Sequence, residues 1–168
     1  MRITEILKES GYEEAWELIS QPVPEIQSFV KQHGWAQDDN VAKQIGSIID
    51  RLPNTQIPAA SISKLKNLAN KPGEDKILSQ IVSISGKPGA AEKYAEIMSA
   101  RDRAEGRNRG YDVNGLVKAL QTGNYESPVI LQLPTGNYVI GGRTRLYAAL
   151  ALGMPINIKI INAKTFQR

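Results

Sequence analysis

Hydrophobic positions recur through the first hundred residues at three- and four-residue spacing, and proline and glycine interrupt them at intervals. Ile3, Ile6 and Leu7 open the pattern. Trp16, Leu18 and Ile19 continue it behind Glu13 and Glu14, two acids suited to the positive end of a helix dipole. Pro22 and Pro24 break it, after which Ile26, Phe29 and Val30 form a stripe that stops near His33 and Gly34. Val41, Ile45, Ile48, Ile49 and Leu52 give the clearest stripe of the region and predict a helix facing a core. Pro53, Pro58, Pro72 and Pro88, with Gly73, Gly86 and Gly89, then delimit three further short helices over 59–71, 74–85 and 89–103. Lys71-Pro72-Gly73 and Lys87-Pro88-Gly89 share turn chemistry ahead of charged helical starts. Trp16, Phe29, Trp35 and Tyr147 are assigned to the core, because aromatics in helical stripes pack.

The character changes after 101–110. Arg101, Arg103, Arg107 and Arg109 crowd into nine residues there without an apolar stripe, which predicts a mobile, positively charged connector and a boundary near residue 105. Val113, Leu116, Val117 and Leu120 then mark a short helix, ended by a turn at Gly123 and Asn124. The apolar, β-branched stretch 128–133 reads as a strand, 134–137 as a turn, and 138–140 as a second strand completing a hairpin. Gly141 and Gly142 lead into an apolar helix over 144–152 (Leu146, Tyr147, Ala149, Leu150, Leu152), with Gly153 as its C-cap and Pro155 beyond. Ile156, Ile158 and Ile160 alternate with Asn157 and Lys159 in a closing strand over 156–161. The fold class is α+β: a multi-helix region over 1–104, then a small mixed unit over 105–168 in the order helix, β-hairpin, helix, strand.

Composition narrows the chemistry. A chain of 168 residues with 41% hydrophobic content suits one domain, or a small domain with a helical extension. No apolar run approaches the ~20 residues needed to cross a bilayer, and the amino terminus is amphipathic, so a cytoplasmic protein without a membrane partner is expected. The absence of cysteine removes disulfides, thiolate nucleophiles and Cys-bearing zinc sites, and the single His33 argues against a His-rich metal site. No metal ligands are assigned. The net charge of +4 is unevenly spread, with four basic and nine acidic residues in 1–50 against seventeen and eight in 51–168. A basic carboxyl-terminal region attracts phosphates of nucleotides or nucleic acid, or is simply a solvated basic face.

Two glycines between a strand and a helix leave the first-turn N–H groups unpaired, with the positive end of the dipole behind them. Gly141, Gly142, Arg143, Thr144 and Arg145 therefore form a candidate phosphate site. The glycines allow close approach, the arginines offer forked, charge-assisted hydrogen bonds, and Thr144 offers a hydroxyl. The alternative is a tight turn whose glycines serve packing and whose arginines are solvated or pair with Glu126 and Asp112. Arg143 and Arg145, two apart, cannot share a helical face, so one of them suits a structural role. Gly86-Lys87 is not a P-loop, since Pro88 stands where Ser or Thr is required.

The segment 138–161, with its strand, Gly-x-x-x-Arg turn, Ala-rich helix, Leu-Gly cap and Ile-rich strand, resembles the centre of the ParB/sulfiredoxin superfamily. The resemblance covers about residues 111–162 and leaves 1–100 unaccounted for. In members that bind ATP or CTP this turn wraps the phosphates, which implies a nucleotide cofactor, with Mg²⁺ as a further candidate, at Gly142, Arg143, Thr144 and Arg145. Sulfiredoxins carry their catalytic cysteine where Arg143 stands, so sulfinic acid reduction is excluded. The related CTPases and serine kinases carry an acid in the turn, at places held here by Gly141 and Arg143. Asp112 and Glu126 are the acids left in the resembling segment for a catalytic role.

Three functions follow as expectations. The first is nucleotide binding through the turn, with hydrolysis or phosphoryl transfer open. The second is a DNA-binding or ParB-like nuclease module, using Arg101, Arg103, Arg107, Arg109, Lys64, Lys66 and Lys71 as phosphate contacts. The third is an adaptor whose acidic amino-terminal helices bind a protein partner.

Overall fold

The structure, a computed structural model, describes residues 12–35, 38–68, 73–107 and 112–166. The expected first stripe at Ile3, Ile6 and Leu7 lies outside them, as do Lys71 and Arg109. The elements run α1 (Tyr12–Ser20), α2 (Pro24–Gln32), α3 (Asp39–Arg51), β1 (Thr55–Ile57), α4 (Ala59–Ile62), α5 (Glu74–Ile84), α6 (Ala90–Ala104), α7 (Val113–Thr122), β2 (Val129–Leu133), β3 (Gly136–Gly141), α8 (Arg143–Leu152) and β4 (Ile156–Ile161), with a closing 3₁₀ turn at Ala163–Phe166. The α+β class holds, and so does the order helix, hairpin, helix, strand at the carboxyl end.

The local reasons are those the residues supply. Pro24 starts α2 at a position where its missing N–H costs nothing. The Asp38 carboxylate caps α3 by accepting from Val41 N at 2.9 Å, and Asp112 caps α7 by accepting from Gly115 N at 3.0 Å. Gly153, in the left-handed conformation at φ 67°, ends α8.

The sheet has the order β1-β4-β2-β3. β2 is antiparallel to β3 and parallel to β4, and β1 is antiparallel to β4, pairing Thr55 with Ile158 and Ile57 with Ile156. Period-two alternation sends the two faces of the sheet to two cores. Ile130, Val139, Ile156 and Ile158 join α8 and the buried residues of α5 and α6 on one face. Val129, Leu131, Tyr138, Ile140 and Ile161 join α1, α2 and α3 on the other. The result is three layers, helices on both faces of one sheet. Helix α8 is buried from Leu146 through Ala151, which is why its sequence is apolar all round.

Two expectations change. Of the predicted helix over 59–71, the described part, 59–68, is helical only over Ala59–Ile62. Lys66 then runs along the outer edge of β3, accepting from Val139 N at 3.1 Å and donating to Asn137 O at 2.8 Å. Edge pairing with β3 outcompeted the helical spacing. Residues 55–57 are a strand that three residues were too short to announce. Moreover, the expected division at residue 104/105 does not divide the packing: β1 and helices α1 to α6 share the sheet and both cores with the later elements.

Tyr147 ties α8 to the start of α5 within one helical layer. Its buried hydroxyl donates to Glu74 Oε2 at 2.7 Å and also contacts the Leu68 carbonyl oxygen. Tyr147→Phe leaves Glu74 Oε2 short of its donor in a dry core, and urea unfolding should register a loss of about 1–3 kcal/mol.

Candidate functional site

A cleft of about 810 Å³ opens where β3 runs into α8. Its walls come from the outer face of α1, the end of α6 with the residues after it, and the 140–144 turn. Gly142 is the N-cap of α8 at φ 81°, a conformation that side chains rarely adopt, and a Cβ there would lie 2.7 Å from the Pro128 Cα. A Cβ on Gly141 would run into the Glu14 side chain. Both glycines are therefore required by packing, as the structural alternative for this turn had it. The helix start they create still opens on the cleft: the first intrahelical bond is Leu146 N to Gly142 O at 3.1 Å, so the N–H groups of Arg143, Thr144 and Arg145 have no acceptor within the helix.

The two arginines of the turn have different surroundings. Arg143 and Thr144 line the cleft, and Arg143 makes no ion pair among the described residues. Tyr94 on α6 donates its hydroxyl to Thr144 O at 3.2 Å, which steadies the first turn of α8. Arg145 does not line the cleft. Its guanidinium lies 3.7 Å from Glu14 Oε1 and 3.8 Å from Glu126 Oε2, and also donates to the Glu126 carbonyl oxygen. Two carboxylates thus share one guanidinium beneath the turn.

Glu14 is 3% exposed and its Oε2 has no hydrogen-bond partner among the described residues. Burial raises its carboxyl pKa, an effect that Arg145 partly offsets. Glu126 is pushed up to about 7, first by burial and then by the charge of Glu14, again partly offset by Arg145.

The expected connector is helical through Ala104 and ion-paired at Arg107 where the structure describes it. Arg101 and Arg103 belong to the last turn of α6. Arg101 lies 3.8 Å from Glu74 Oε1 and 3.7 Å from the buried Asp102, and its Nε is buried without a hydrogen-bond partner among the described residues. Arg107 lies 3.5 Å from Asp102 and pairs closely with Glu105. Buried Asp102 is the reason: an interior carboxylate gathers cations around it, and no apolar stripe announces that. Arg101 and Arg107 line the same cleft as the turn, whereas Arg103 points elsewhere into solvent.

Asp112 and Glu126, the candidate catalytic acids, are absent from the cleft wall; Asp112 caps α7 and Glu126 belongs to the Arg145 cluster. Lys66 is a backbone partner of β3, with its amino group bonded to the Thr135 carbonyl oxygen. His33 sits in an aromatic cluster with Phe29, Trp35 and Phe166.

The sequence reading missed Trp16, which it placed in the core. Trp16 is 40% exposed and stands in the cleft wall with Glu13, Glu17 and Ser20. The signal was available, because Ala15, Leu18 and Ile19 form the buried stripe of α1 and Trp16 lies about 100° off Ala15 around the helix.

Fold and site together define a three-layer α+β protein with a mixed-charge cleft at the amino end of its most buried helix. Set against protein-family models, curated proteins and solved structures, the chain matches none of them.

Two outcomes test the cluster under the turn. Arg145→Ala leaves Glu14 buried without its counter-charge and should destabilise the fold by about 3–5 kcal/mol in urea unfolding, an effect Arg145→Lys should partly restore. Because folding raises the Glu126 pKa from about 4.5 to about 7, the folded chain holds a proton that the unfolded chain releases across that window. Stability from this group is present in full at the acid end and lost as pH rises through about 7. Glu126→Gln should therefore gain stability relative to the parent between about pH 5 and about pH 8. An unchanged difference at the two pH values would remove Glu126 as the titrating group.

Proposed function

We propose that the protein binds the phosphate of a nucleotide in this cleft. The observation that carries the reading is the amino end of α8 opening into a cleft of about 810 Å³ beside Thr144 and Arg143, the latter without an ion pair among the described residues. Unpaired N–H groups, a helix dipole and a forked cation on one side of a cavity are what a phosphate requires. The volume is that of a small-molecule site. The resemblance of the segment 138–161 to the ParB/sulfiredoxin superfamily supports the same reading, with ATP or CTP as the first nucleotides to try.

The reading is of binding. Neither Asp112 nor Glu126 stands in the cleft, so neither supports a proposal of phosphoryl transfer there. DNA is the weaker alternative. The cleft wall carries Arg101, Arg107 and Arg143 against Glu13, Glu17, Glu74 and Glu105, so its described charges form no continuous basic track for a long phosphate backbone. Arg101 and Arg107 are also already matched by carboxylates.

Thermal unfolding with ATP, ADP, CTP and inorganic phosphate, each with and without Mg²⁺, tests the reading. A ligand at 100-fold its dissociation constant adds about 2.7 kcal/mol of stability. Arg143→Ala should weaken binding by about tenfold to a hundredfold, while the unliganded variant changes by no more than about 0.5 kcal/mol. A flat panel at millimolar ligand would end the proposal.

A further inference from the structure

The turn that starts α8 rests on a cluster with one charge too many. Arg145 reaches back from the first turn of α8 to Glu14 Oε1 at 3.7 Å and Glu126 Oε2 at 3.8 Å. The Glu14 side chain lies where a Cβ on Gly141 would stand, so the cluster sits directly under the turn. Two carboxylates against one guanidinium leave a charge of −1 when both are ionised, and a single proton brings it to 0. The neighbouring charges do not repair this. Glu13 on α1 and Asp50 on α3 add further repulsion at Glu126, and the Lys159 amino group on β4 is taken by the carbonyl oxygens of Ile49 and Asp50 at 3.1 and 3.3 Å.

The other side of the same turn opens on the cleft. An anion held by the N–H groups of the helix start and by Arg143 therefore has Glu14 and Glu126 behind it, across one turn of backbone. Glu14 is buried and Glu126 is half-buried, so little water screens the two charges from the anion. Bringing in a negative charge makes the second ionised carboxylate costlier and favours the proton. By reciprocity, the proton favours the anion to the same extent. Glu126 is the member able to exchange that proton with solvent, because Glu14 is closed off at 3% exposure, and the Glu126 pKa of about 7 puts the exchange near neutrality.

We infer that the cleft takes up a proton together with its anion, and that Glu126, behind the turn, is the group that receives it. This rests on the phosphate reading above and adds a control by pH to the same site. The proton comes from solvent and no bond of the ligand changes. The free cluster is protonated below about pH 7, and a bound anion moves that midpoint upward. Affinity is therefore greatest on the acid side, falls as pH rises through about 7, and levels off once Glu126 has ionised in the complex as well. Arg145 keeps its charge throughout. His33, the single histidine, packs with Phe29, Trp35 and Phe166 and lines a different cavity, so an imidazole is not the group beside the anion.

Calorimetric titration of the full chain and of Glu126→Gln with inorganic phosphate, at about pH 6 and at about pH 9, tests this. Glutamine copies the protonated form that the fold prefers, so the variant keeps its structure, and phosphate's own titration is the same for both proteins and cancels in their ratio. The two should bind phosphate alike at about pH 6, and the parent should bind about threefold to tenfold more weakly than the variant at about pH 9, the effect of one charge felt across partly screened surroundings. At about pH 7.5, in two buffers of different ionisation enthalpy, the parent should take up about a quarter to a half of a proton more per phosphate than the variant does. Arg143→Ala should weaken phosphate at both pH values and leave the difference in proton uptake in place. A parent-to-variant ratio that is the same at the two pH values, with equal proton uptake, overturns the inference and leaves the phosphate reading standing. A parent that gains on the variant as pH rises overturns it too. No phosphate binding by either protein at either pH overturns both readings together.

Discussion

A carboxylate as deeply buried as Glu14 is tolerable only beside a cation, and the first turn of α8 supplies that cation in Arg145. The pair joins a helix from the start of the chain to a turn near its end, with the Glu14 side chain lying over Gly141. Much else depends on this. With any side chain at residue 141, α1 could not sit where it does; without Arg145, it would bring an unpaired charge into the interior. Once α1 is seated, its other face becomes a wall of the cleft. Of the two arginines of the turn, Arg145 thus builds the cleft and Arg143 is the one left facing it.

The same economy of charge governs the other wall. Asp102 is buried at the end of α6 and holds Arg101 inside and Arg107 at the surface beside it, and Glu74 is shared between Arg101 and the Tyr147 hydroxyl. Among the described residues of the positive run, Arg101 and Arg107 are therefore matched by carboxylates and form no open basic track. What remains in the cleft is asymmetric: helix-start N–H groups and Arg143 on one side, an exposed indole and carboxylates on the other. An asymmetric cleft suits a small molecule with unlike ends better than a uniform polyanion.

The sequence by itself determined the class and most elements, because periodicity, capping residues and turn residues are local properties. The order helix, hairpin, helix, strand, the Gly153 cap and the stripes of α2 and α3 were all legible for that reason. It also located the turn, since two glycines between a strand and a helix have few other uses. What it could not decide was partnership. β1 is three residues whose only reason to be a strand is β4, and Lys66 leaves a helical spacing because β3 offers an unpaired edge. Glu14 sits in a run of acids with nothing local to mark it as buried, and Arg101 reads as a connector until Asp102 and Glu74 are seen beside it. Which arginine faces the cleft, which tryptophan lines it and which acids stay out of it are decided by contacts between residues tens to more than a hundred positions apart, and only the tertiary structure sets those.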